Sequence, residues 1–140
     1  MLVVLGINVK TSLLINKSDS ITGKIFLLVY SKNFIKGDLV GIKDFVTVYT
    51  ANRHFTKKVA GFPGDKITLK GKGVYINGEL QAIVKNKTKD GMPLTPIKAQ
   101  VIPKDKYFVV TAHKDSFDSR YREFSLVGAE NIEGKAYRIW

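Results

Sequence analysis

The feature that most constrains this chain is a rhythm of short runs rich in Val, Ile, Tyr and Phe, each closed by turn chemistry. Such runs fall at residues 24–31, 44–50, 54–61, 66–70, 74–77, 99–102, 107–112 and 134–140. β-branched and aromatic residues suit a pleated, half-buried surface, so these segments predict strands. Lys36-Gly-Asp, Pro63-Gly-Asp, Gly71-Lys-Gly and Asn77-Gly lie between them, and Asn77-Gly78 in particular favours a tight hairpin. No segment sustains an apolar i, i+3, i+4, i+7 pattern, so helices should be few and short. The expectation is a mainly β fold, a compact antiparallel sandwich or barrel.

At 140 residues, 44% of them hydrophobic, the chain fits one domain with a packed core and shows no low-complexity tract. Residues 85–97 carry Lys85, Lys87, Lys89, Gly91, Pro93 and Pro96. This polar, punctuated stretch is expected to be a mobile loop or small insertion with little chemistry. Residues 1–15 begin with an apolar run far shorter than the roughly 20 residues of a membrane-crossing helix. They read either as a strand or as the remnant of an N-terminal membrane anchor.

The formal charge of +11 suits nucleic acid, an anionic membrane or an acidic substrate. The lysines are scattered and the aromatic residues sit inside apolar runs, so no specific nucleic-acid surface is signalled. The absence of cysteine excludes thiolate catalysis and zinc-thiolate sites. With only His54 and His113, a histidine-rich metal centre is not expected either.

Three segments carry candidate chemistry. Alternation along residues 54–61 places Phe55, Lys57 and Val59 on one face and Thr56, Lys58 and Ala60 on the other. If that first face is buried, desolvation disfavours the ammonium form and turns Lys57 toward a general base. The competing reading is a lysine whose stem packs on the sheet while its head reaches water. The run NKSDSIT from Asn16 to Thr22 is a polar turn between apolar stretches. A serine there is a nucleophile when a base reaches its hydroxyl, and otherwise a turn residue bonding local backbone. In the third segment Asp118 and Arg120 are spaced for an ion pair that braces a loop.

Taken in order, these segments resemble the sequence boxes of the type I signal peptidase family. KKVAGFPGD from Lys57 to Asp65 resembles the lysine box, VYING from Val74 to Gly78 the following hairpin, and SFDSRY from Ser116 to Tyr121 with IEGKA from Ile132 to Ala136 the C-terminal box. The resemblance implies that residues 1–140 form one peptidase domain using a serine/lysine dyad. The serine box falls on Ser18-Asp-Ser20, which makes Ser20 the nucleophile and Lys57 its base, with Ser18 as the alternative nucleophile. The Ser18 hydroxyl and the Ser20 backbone N–H then form the oxyanion hole. Ser116 orients Lys57, Asp118 and Arg120 brace the site, and Lys58 takes the place of the basic residue after the catalytic lysine.

The chain departs from the family in two places. The proline that usually follows the nucleophile is missing at Thr22 and Gly23, and Val110-Thr-Ala112 stands where many members have Gly-Asp-Asn. His113, with Asn16, resembles instead the conjugative-transfer, TraF-type branch that matures pilin subunits. By resemblance the substrate is a signal-peptide-bearing pre-protein or a pro-pilin, met at a membrane surface on the outer face of the cytoplasmic membrane, with no cofactor or metal. The alternative from another class is a catalytically inactive basic β-barrel that binds nucleic acid or a protein partner.

Overall fold

The computed structural model describes residues 11–15, 25–50 and 53–140. Eleven strands are found among them: β1 (Thr11–Ile15), β2 (Ile25–Val29), β3 (Leu39–Phe45), β4 (Arg53–Gly61), β5 (Lys66–Lys70), β6 (Gly73–Ile76), β7 (Glu79–Ile83), β8 (Gln100–Val101), β9 (Lys106–Val110), β10 (Val127–Gly128) and β11 (Ile132–Arg138). A single 3-10 turn, Ala129–Asn131, is the one helical element among the described residues. All strand pairings are antiparallel, so the mainly β expectation holds.

The strands form two sheets, one in the order β1-β2-β11-β3-β4-β9-β10 and one in the order β7-β6-β5-β8. β4 and β9 have core on both faces. Ala60, Phe108 and Val110 join Ile67, Val74, Ile76 and Ile102 of the smaller sheet and its flanks. Val59 and Val109 face the other way, into a second core with Val40, Ile42, Phe45, Phe124 and Ile132. Successive residues of a strand point to opposite faces, and here both faces are apolar. β11 runs between β2 and β3, and it approaches β2 so closely that a Cβ at Gly134 would lie 2.0 Å from the Val29 carbonyl oxygen.

The predicted hairpin forms at Asn77-Gly78, where both residues take positive φ (50° and 82°) and β6 pairs with β7. Asn77 also accepts the Lys66 N–H at 2.9 Å and donates to Asp65 Oδ1 at 2.9 Å. The hairpin is thereby tied to the Pro63-Gly-Asp turn that follows β4.

One expectation fails and one is refined. The predicted strand at 44–50 lies instead at β3, Leu39–Phe45, and residues 47–50 form a turn closed by Thr47 N–H to the Thr50 carbonyl at 3.1 Å. The β-prone Val46 and Val48 are 65% and 76% exposed, whereas Val40 and Ile42 are fully buried. Burial overrides propensity here.

Residues 85–97 are not a detached loop. Lys87 and Pro93 form a bridge, Ile97 N–H donates to the Arg120 carbonyl at 2.8 Å, and Arg122 N–H donates to the Thr95 carbonyl at 2.8 Å. Glu123 accepts the Thr95 N–H at 2.6 Å, while Ile97 is buried and Leu94 packs on the core. Backbone donors satisfied in this way anchor a polar segment that composition alone marks as loose.

Candidate active site

Lys57 sits near the middle of β4, directly opposite Val40 of β3. Alternation puts its side chain on the face of Phe55 and Val59, as expected, and it is only 4% exposed. Its Nζ lies 5.9 Å from the ring centre of Phe55 and 6.0 Å from that of Phe124. Phe55 and Phe124 pack edge to face at 5.6 Å, and Phe45 adds a third ring at 4.9 Å from Phe124. The amine thus occupies an apolar, aromatic wall.

Among the described residues Nζ makes one hydrogen bond, to Ser116 Oγ at 3.2 Å. Burial is the largest influence on this amine and lowers its pKa from 10.5 to about 8; Asp118 opposes the change and Arg120 adds to it. At pH 7 a lysine of pKa 10.5 is neutral in about one molecule in three thousand, but one of pKa 8 in about one in ten. The environment therefore raises the base-competent population about three-hundredfold.

Ser116 is 2% exposed and ends a tight turn in which its N–H donates to the His113 carbonyl at 3.1 Å. The same turn has the Asp115 N–H donating to His113 Nδ1 at 3.1 Å, a bond that requires that nitrogen unprotonated. His113 thus organises the backbone that delivers Ser116 to Lys57.

Beyond the turn, Asp118 and Arg120 form a fully buried, two-toothed ion pair, Nε to Oδ1 at 2.8 Å and Nη2 to Oδ2 at 2.9 Å. The carboxylate also accepts the backbone N–H of Thr111 (3.1 Å) and of Arg120 (3.2 Å). The guanidinium also donates to the carbonyls of Thr111 (2.8 Å), Ile83 (3.0 Å) and His113 (3.4 Å). Paired, hydrogen-bonded ions of this kind hold a segment in one conformation. Ser119, between them, reinforces β9 by accepting the Val109 N–H at 3.0 Å and returning its own N–H to the Val109 carbonyl.

The structure thus brings Lys57 and Ser116 into contact and seats Asp118 and Arg120 behind them. Lys58 faces the other side of β4, half-buried, with Leu39 and Val110 across the sheet. Ser18 and Ser20 lie outside the described residues. Among the site residues missed in the sequence are Phe124, which gives no motif signal, and the Ile83 and Thr111 carbonyls, which are backbone groups. Among the described residues no group of three or more His, Asp or Glu side chains is arranged to hold a metal ion, and no helix is long and apolar enough to cross a membrane.

Residues 4–140 match the family described as signal peptidase, peptidase S26. The chain is 34% identical over 117 residues to a signal peptidase IB of Staphylococcus aureus, covering 70% of this chain and 60% of that protein. It is 33% identical over 116 residues to signal peptidase I P of Bacillus subtilis subsp. natto, covering 75% of this chain and 58% of the relative. A crystal structure of a signal peptidase I from Enterococcus faecalis V583 aligns with a TM-score of 0.48 at 19% identity, over 74% of this chain and 96% of that one. The chain spans about three-fifths of the length of the curated relatives it matches. With nearly its whole length inside one family match, the chain belongs to the peptidase S26 signal peptidase family.

Proposed function

We propose that this chain is a serine endopeptidase that removes signal peptides from pre-proteins at the outer face of the cytoplasmic membrane, with Lys57 as general base and Ser20 as nucleophile. The observation that carries the reading is a lysine buried against aromatic rings and hydrogen-bonded to a neutral hydroxyl, that of Ser116. Lys57 in its neutral form takes the proton from Ser20 Oγ as that oxygen attacks the scissile carbonyl. The Ser20 backbone N–H and the Ser18 hydroxyl hold the developing oxyanion. Lys57 then returns the proton to the leaving amine; next a water, giving its proton to Lys57, attacks the acyl carbonyl, and that proton passes to Ser20 Oγ as its bond to the acyl chain breaks. No metal or organic cofactor takes part.

Membrane association and a place within the TraF-type branch complete the proposal. His113, whose ring and carbonyl shape the Ser116 turn, is the residue that favours that branch. A pro-pilin is then a substrate, and a pilin amine replaces water if the product is cyclic.

The test is cleavage of a pre-protein and of a pro-pilin by the membrane-reconstituted protein beside Ser20→Ala and Lys57→Met. Both variants are expected to be inactive; full cleavage by either removes the dyad. Activity is expected to fall on acidification through pH 8, following the neutral fraction of Lys57. A flat profile between pH 6 and 9 contradicts the amine base.

A further inference from the structure

Ser116 takes its position from a turn outside the named strands. Residues 111–118 leave the end of β9, and the 113–116 turn is closed internally by the two bonds to His113, whose carbonyl also accepts from Arg120 Nη2 at 3.4 Å. On its outer side the turn presents Asp115, and the Asp115 carboxylate meets two lysines of the 85–97 segment, one on each oxygen. Lys85 Nζ bonds Oδ1, and Lys89 Nζ lies 3.4 Å from Oδ2.

An exposed ion pair is ordinarily worth little, because two long side chains must be ordered to make it. Lys85 differs in that its backbone is already held. Its N–H donates to the Tyr121 hydroxyl at 3.0 Å, the preceding Val84 N–H donates to the Lys72 carbonyl at 2.9 Å, and the Ile83 carbonyl takes Arg120 Nη1 at 3.0 Å. The Asp115 side chain is itself only 15% exposed. Lys89, with its side chain 78% exposed, is the lesser partner.

We propose that Asp115 is a positioning residue: gripped by Lys85 and seconded by Lys89, it tethers the 113–116 turn to the 85–97 segment and so holds Ser116 Oγ against Lys57. The catalytic consequence rests on the serine/lysine reading given above; the tether itself does not. The role is geometric, since the charges that act on Lys57 are those of Asp118 and Arg120. The hydrogen bond from Lys85 also keeps the Asp115 carboxyl below the usual carboxylate range, so the tether persists at mildly acidic pH.

Two measurements on the full chain separate the tether from the chemistry. Amide hydrogen exchange compares Ser116, in the turn, with Ser119, which is bonded to the Val109 carbonyl. Asp115→Asn and Lys85→Met are each expected to speed exchange at Ser116 by about threefold to tenfold and to leave Ser119 unchanged. In pre-protein cleavage the same variants are expected to lower kcat by a similar factor with KM unchanged, and Lys89→Met to have a smaller effect. The charge-exchanged double variant, Asp115→Lys with Lys85→Asp, is expected to recover both readouts. Unchanged exchange at Ser116, or no recovery in the double variant, overturns the tether. Faster exchange with kcat intact overturns the positioning role. Should Lys57→Met prove fully active, the dyad reading falls, and the exchange measurement still decides the tether.

Discussion

Two buried cations lie close together in this molecule and are treated in opposite ways. Arg120, 2% exposed, has a carboxylate on its fork and backbone carbonyls for its other donors. Lys57, 4% exposed, has one hydroxyl and two aromatic faces among the described residues. The cation paired with a carboxylate serves as a brace. The one walled by aromatic rings is pushed toward neutrality, chiefly by its burial, and neutrality is the state a general base needs. What the described surroundings offer, a carboxylate in one case and rings with a hydroxyl in the other, distinguishes two sites of similar depth.

The largest effect should come from erasing the cation walled by aromatic rings. Lys57→Met is expected to lower the cleavage rate about a thousandfold or more, whereas Lys57→Arg, permanently charged, should be just as inactive. Activity in Lys57→Arg breaks the contrast between the two sites. Next, Arg120→Met leaves the Asp118 carboxylate buried and unpaired, with an expected loss of about 3–5 kcal/mol in denaturant unfolding. A loss no greater than that of an exposed arginine variant contradicts its role as a brace.

The third effect has the opposite sign. Folding lowers the Lys57 pKa from 10.5 to about 8, so the unfolded chain holds the extra proton between those values. The penalty is in full force below pH 8 and fades as the pH rises toward 10.5. At about 1.4 kcal/mol per tenfold, Lys57→Met is expected to gain up to about 3 kcal/mol of stability at pH 7, and this advantage should shrink steadily above pH 8. A constant difference across that window in urea titrations excludes a strained lysine. The smallest effect is expected from Ser116→Ala, about tenfold in kcat, since it removes the Ser116 hydrogen bond that helps aim Lys57.

Much of this contrast was legible in the residues. Alternation along 54–61 put Lys57 beside Phe55 and Val59, and β4 has that face. Asn77-Gly78 announced its hairpin, and the strand at 66–70 has the expected bounds. What sequence could not supply was the partner on the other side. Phe124 approaches Lys57 from a turn nearly seventy residues away, and only tertiary packing joins them. β3 was misplaced because Val46 and Val48 have strand propensity without burial. Residues 85–97 were read as loose because their anchors, the Arg120 carbonyl, the Arg122 N–H and the Glu123 carboxylate, lie far along the chain and leave no trace in local composition.

The insertion of β11 between β2 and β3 has a consequence for assembly. In this sheet β2 and β3 are joined only through residues 132–138, so its closure brings together segments far apart in sequence, and such non-local pairing is slow to form. The strand bearing Lys57 pairs with β3 and so belongs to that slowly closing sheet.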